Sequence, residues 1–158
     1  MIKVVHFWPR LAAEAALFPA NVALISIGDP QQAAPVLKGG KEVLRLEFYD
    51  LKKPEPSDPR FGLDSMFTAA QAARVQALVA RLHAEPTEYE IVVHCEAGVS
   101  RSAAVALYVE AASGCAFPGK GAAGGANEHI VAVLCKVGKV SINIPPLKKS
   151  AGGILLFS

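Results

Sequence analysis

Glu90-Ile91-Val92-Val93-His94-Cys95-Glu96-Ala97-Gly98-Val99-Ser100-Arg101-Ser102-Ala103-Ala104-Val105-Ala106-Leu107 passes from a β-branched run, through a tight segment holding one glycine, into an alanine-rich run that meets no breaker before Ala112. Ile91, Val92 and Val93 predict a short buried strand, and Ser102 to Ala112 predicts a helix. Strand, tight loop and helix in that order form part of a βαβ unit, so this stretch decides the fold class.

The flanking segments repeat the alternation. Ile2 to Phe7, Asn21 to Ile27 and Glu42 to Tyr49 predict strands, the last setting Val43, Arg45 and Glu47 against Leu44, Leu46 and Phe48. Pro9 starts a helical stretch through Leu17, Gly28-Asp29-Pro30 stops the second strand, and Asp50 stands at the end of the third, before a polar, proline-rich loop through Asp64. Phe67 to His83 predicts a helix, because Val75, Leu78, Val79 and Leu82 fall on one face with Arg74 and Arg81 off it. His83 closes that helix where a partly charged imidazole suits the dipole. Residues 116–126 are glycine-rich and predict a flexible surface loop, Glu128 to Val137 predicts a last short helix, and the tail 141–158 carries only weak strand patterns around Ile142 and Ile154. The expected fold is α/β: three layers, α/β/α, around a central, mostly parallel sheet, with residues 95–101 forming a loop between a strand and a helix.

The 158 residues suit one domain, 1–158, and 52% apolar against 19% charged residues is a globular balance. Sixteen basic and fourteen acidic residues leave a formal charge of +2, too small to argue for nucleic acid or an anionic membrane as partner. Lys136, Lys139, Lys148 and Lys149 form the densest basic cluster and read as solvated surface. Cys95, Cys115 and Cys135 lack metal-site spacing, so no metal is expected and a reducing compartment fits. The start, Met1 to Arg10, breaks before any long apolar run, and no stretch reaches the roughly 20 apolar residues of a membrane span. The expected location is the cytoplasm.

A cysteine followed by an arginine after five residues recurs by chance, and a cysteine or histidine at a strand end is commonly a plain core residue. The setting of this pair is more specific. Five intervening residues can wrap so that successive N–H groups converge on one anion at a helix N-terminus, and phosphate suits such a cradle. Gly98 permits the tight curl and Arg101 closes the ring with a planar fork for two phosphate oxygens, a geometry lysine lacks. Converging amides, a helix dipole and an arginine also favour a thiolate over a thiol, which makes Cys95 the candidate nucleophile. Ser102 can donate a hydrogen bond to that sulfur, and His94 is expected to brace the loop through its ring nitrogens.

His94-Cys95-Glu96-Ala97-Gly98-Val99-Ser100-Arg101-Ser102 resembles the signature of protein tyrosine and dual-specificity phosphatases, His-Cys-x-x-Gly-x-x-Arg followed by Ser or Thr, at every position. A fainter likeness, closest to small bacterial tyrosine-phosphatase-like proteins, extends over Leu24 to Asp29, Leu44 to Asp50, the helix before the loop and Asn127 ahead of the last helix. The resemblance implies hydrolysis of a phosphorylated protein or small phosphate monoester in two steps, without metal or cofactor. It makes Cys95, Arg101, Ser102 and His94 catalytic-site residues and Glu96, Ala97, Gly98, Val99, Ser100 and Arg101 the phosphate loop. It also implies an aspartate that protonates the leaving oxygen from a loop after an upstream strand. Asp50 matches that place, and Asp58 and Asp64, nearer in sequence to Cys95, are the alternatives.

Nothing matches the aromatic loop with which larger tyrosine phosphatases measure a phosphotyrosine ring, so phosphoinositides, RNA 5′ ends and small metabolites stay open as substrates. An inactive phosphate-binding module and a rhodanese-like sulfurtransferase are the rival readings. Trp8-Pro9-Arg10 lacks the aspartate of a Trp-Pro-Asp loop and reads as a strand end, and Gly114 to Lys120 lacks the final Ser or Thr of a nucleotide P-loop and reads as a loop. Cys115 and Cys135 read as small buried hydrophobes, with disulfide protection of Cys95 as the other possibility.

Overall fold

A computed structural model describes residues 1–54, 65–149 and 155–156. In chain order its elements are β1 (Ile2–Pro9), α1 (Arg10–Ala15), β2 (Leu17–Phe18), β3 (Val22–Gly28), β4 (Lys38–Gly39), β5 (Glu42–Glu47), α2 (Ala69–Ala84), β6 (Tyr89–Cys95), α3 (Arg101–Ser113), α4 (Glu128–Gly138), β7 (Lys148–Lys149) and β8 (Leu155–Leu156), with a 3-10 helix at Lys120–Gly125. The protein has an α/β fold. Its central sheet has the order β1-β6-β3-β5, and every pairing in it is parallel.

The period-2 alternation of strand side chains sorts the core into two faces. Ala23, Ile25 and Ile27 of β3, with Ile91 and Val93 of β6, pack under Val75, Leu78 and Leu82 of α2, the whole first half of α3, and Ile130 and Leu134 of α4. Val22, Leu24 and Val92 face the other way, onto Ala13 of α1 and Phe18 of β2. The helical layers are therefore unequal: three helices cover one face and a short helix with a two-residue ribbon covers the other. Every residue of α3 from Arg101 to Val109 is buried, which is why its sequence is apolar all round instead of striped. Each buried Val or Leu there contributes roughly 1.5–3 kcal/mol of burial free energy.

Several expectations shift: the first helix ends at Ala15, leaving Leu17 in β2, and the third central strand in chain order ends at Glu47, so Asp50 lies in the segment beyond it instead of at the strand end. The second helix starts at Ala69, not Phe67, because Thr68 caps it: its Oγ1 accepts the Gln71 N–H at 3.2 Å and the Gln71 Oε1 accepts the Thr68 N–H at 3.0 Å. The glycine-rich stretch is not a loose surface loop. Ala116 pairs with β1 through Lys3 and Val5, Phe117, Ala123 and Ala126 are buried, and a Cβ on Gly124 would lie 2.6 Å from the Pro146 carbonyl. Its small residues serve close backbone packing. In the tail, Ile142 and Ile144 pack against the core outside any strand, and β7 pairs with β8 one residue beyond Ile154, which lies outside the described residues. Among the described residues no helix is long and apolar enough to cross a membrane.

Because the four central strands are parallel, their C-terminal ends, Pro9, Gly28, Glu47 and Cys95, lie along one edge of the sheet. The segments that leave this edge carry Arg10, Asp29, Asp50 and residues 95–101, so residues far apart in sequence converge beyond the carboxyl ends, where open α/β sheets bind ligands.

Candidate active site

Cys95 ends β6 and Arg101 begins α3, so the five residues between them turn the chain from strand into helix. Gly98 adopts φ +68°, and a Cβ on it would lie 2.3 Å from the Pro9 nitrogen. Only glycine lets the loop pass this close to the end of β1. The same junction clamps the loop from outside: the Arg10 N–H donates to the Glu96 carbonyl at 3.1 Å, and its guanidinium reaches the Glu96 carboxylate at 3.2 Å while also pairing with Glu14.

The Cys95 sulfur is buried, 3.1 Å from Ser102 Oγ. Ser100 makes no side-chain cap to α3, and the first turn holds no acidic residue. Neither feature supplies an acceptor to its opening N–H groups, at the end of the helix where the dipole favours negative charge. Arg101 is 6% exposed; its Nη1 donates to the Phe48 carbonyl at 2.7 Å and to Asp29 Oδ1 at 2.9 Å. Among the described residues Nε and Nη2 have no acceptor, which leaves one edge of the fork for two ligand oxygens.

A cavity of about 410 Å³ is lined by Cys95, Arg101, Asp50 and the loop residues Glu96, Ala97, Val99 and Ser100. Gly98 is the one loop residue that does not line it; its place is against β1. Asp50 Oδ1 accepts from Ser100 Oγ at 2.8 Å and from Asn127 Nδ2 at 2.7 Å. Asp58 and Asp64 lie outside the described residues. A larger, apolar cleft of about 540 Å³ between the start of α2 and α4, lined by Phe67, His129 and Val133, holds none of these groups.

His94 is fully buried, its Nδ1 3.3 Å from the Cys95 carbonyl and its Nε2 2.6 Å from Ser26 Oγ, which in turn accepts from Arg45 Nη1 at 3.0 Å. The donors run one way, Arg45 to Ser26 to His94 to the Cys95 carbonyl, and this order sets the tautomer with the proton on Nδ1. Burial, then the nearby positive charges of Arg45 and Arg10, hold the imidazole below its usual 6.5, while its bond to the Cys95 carbonyl acts the other way. The unfolded chain therefore takes up this proton at higher pH than the folded protein. Stability is full above 6.5 and falls as pH drops below it. Urea midpoints at about pH 7.5 and about pH 5.5 should differ more in the wild type than in His94→Gln, and an equal difference would mean that His94 is protonated in the fold.

The sequence places Asp29 in a turn and Arg45 in a strand and, with Ser26 and Asn127, puts them in the faint family likeness, but assigns none of the four a contact in the site. The available signal for Asp29 was its position at the end of a parallel strand, on the edge where the cysteine loop emerges. Cys95, Cys115 and Cys135 are free thiols. Burial pushes the Cys115 thiol up, against ionisation. Pro9 is the last residue of β1, as its reading as a strand end expected, and Gly114, the first residue of the expected loop, is the left-handed C-cap of α3. Among the described residues no cluster of three or more His, Cys, Asp or Glu side chains could hold a metal ion. No family model, curated protein or solved structure matches this chain.

Proposed function

We propose that the protein is a phosphate-monoester hydrolase of the cysteine-dependent kind, acting on a phosphorylated protein of tyrosine or dual-specificity type or on a small phosphate monoester. The observation that carries this reading is the Cys95 sulfur, hydrogen-bonded to Ser102 and sharing one cavity with Arg101 and Asp50. The cavity's charge pattern, a guanidinium edge and helix N–H groups around a sulfur, suits a tetrahedral oxyanion.

In the first step the Cys95 thiolate attacks phosphorus, an S–P bond forms, the ester P–O bond breaks, and Asp50 gives its proton to the departing alkoxide or phenoxide. In the second, the Asp50 carboxylate takes a proton from water, the water oxygen bonds to phosphorus, and the S–P electron pair returns to Cys95, where the Ser102 hydroxyl stabilises the thiolate. Inorganic phosphate leaves and Asp50 is again protonated. Arg101 spans the equatorial oxygens in both steps. A thiolate nucleophile requires a reducing compartment, and the cytoplasm meets that need.

The test is hydrolysis of an activated aryl phosphate in the presence of chelator, with and without vanadate. Vanadate-sensitive turnover supports the proposal. Phosphate binding without turnover would leave a binding module, although Asp50 in the cavity speaks against that, and sulfur transfer from thiosulfate would point to a rhodanese-like enzyme. Asp50→Asn should slow an unactivated ester by about 100-fold and an activated one far less, the mark of a lost general acid. Equal slowing would move the acid role to Asp58 or Asp64.

A further inference from the structure

Asn127 is the N-cap of α4, fully buried, and joins three parts of the chain. Its Oδ1 accepts the Ile130 N–H at 3.1 Å, and its backbone N–H donates to the Ser100 carbonyl at 3.2 Å, in the loop before Arg101. Its Nδ2 donates to Asp50 Oδ1 at 2.7 Å and to the Leu51 carbonyl at 3.2 Å. The amide has one workable orientation, since one end faces an N–H and the other faces only acceptors.

We propose that Asn127 is a positioning residue for the general acid: it holds the Asp50 carboxyl to the phosphate loop and confines the transferable proton to Oδ2. The catalytic half of this statement rests on the phosphatase reading of Asp50. Oδ1 already accepts two hydrogen bonds, from Asn127 and from Ser100, so a proton placed on it would displace a donor. Among the described residues no donor reaches Oδ2. One oxygen anchors the carboxyl and the other is left to exchange its proton with the leaving group and then with water. Asp50 is exposed and sits in a segment of irregular backbone after β5. The buried Asn127 amide, together with Ser100, therefore ties an otherwise solvent-facing carboxylate to the cysteine loop.

Asn127→Ser tests this, because serine keeps an N-cap oxygen for Ile130 while removing the amide donor to Asp50. The variant should melt close to the wild type. It should lose about tenfold in kcat on an unactivated phosphate ester, a part of the 100-fold or more that a general acid supplies, and much less on an activated one. In an Asp50→Asn background the same substitution should cost almost nothing further, since both changes act through one proton transfer. Equal slowing of both esters, or full additivity with Asp50→Asn, would reduce Asn127 to a helix cap and overturn the proposal.

If the wild type hydrolyses neither ester, the phosphatase reading fails separately. The Asn127 side-chain amide protons then decide the anchoring: slow exchange in the wild type and fast exchange in Asp50→Ala sustain it, and equal exchange overturns it.

Discussion

Cys95→Ser is expected to lower turnover by about 10⁶-fold, the scale on which removal of a single nucleophile acts in covalent catalysis. The serine hydroxyl fits the same buried place beside Ser102, so the fold and the loop should persist. A hydroxyl without an adjacent base is scarcely ionised, and the neighbouring imidazole of His94 is engaged by the Cys95 carbonyl and by Ser26. Phosphate binding should survive or tighten, because a neutral hydroxyl replaces the thiolate that the proposed reaction places next to the ligand. Binding of inorganic phosphate by calorimetry, beside turnover of an aryl phosphate, separates the outcomes. Wild-type turnover would remove Cys95 from the chemistry, and joint loss of binding and turnover would make it a structural residue.

Arg101→Lys should cost about 10³-fold in kcat/KM, similar to the loss of a preorganised oxyanion donor. The guanidinium has Nη1 held by Asp29 and the Phe48 carbonyl, while among the described residues Nε and Nη2 have no acceptor, and the proposed reading gives them to phosphate. A lysine has one nitrogen on a flexible stem. If it pairs with Asp29 it leaves the ligand, and if it turns to the ligand it leaves the Asp29 carboxylate and a buried-side carbonyl without their donor. Both kcat and phosphate affinity should therefore fall. A rate within tenfold of wild type would mean that the fork is not what holds the transition state.

The site was unevenly legible in the amino-acid order. The placement of Cys95, Gly98, Arg101 and Ser102 together was legible from sequence because they lie on one strand-loop-helix unit, where local geometry dictates who meets whom. Asp50 was preferred over Asp58 and Asp64 for its place after a strand, but its contacts with Ser100 and Asn127 could not be read, since sequence distance does not measure distance across a parallel sheet. Asp29 and Asn127 were marked only as part of a faint family likeness, because their bonds to Arg101 and Asp50 span 72 and 77 residues and no local pattern announces them. The glycine-rich stretch 116–126 was misread for a related reason: glycine and alanine signal freedom when exposed and close packing when buried, and only the neighbours decide which.

By itself the sequence determined the α/β class, the order of the main strands and helices, and the loop between residues 95 and 101, because hydrophobic period and turn chemistry are properties of neighbouring residues. The tertiary structure alone decided that β6 inserts between β1 and β3, that the two helical layers are unequal, and that Asp29, Asp50 and Asn127 gather around the loop. Strand order depends on which apolar faces bury best together over the whole chain. Once that order is set, parallel pairing brings the strand ends, and the polar residues just beyond them, to one edge.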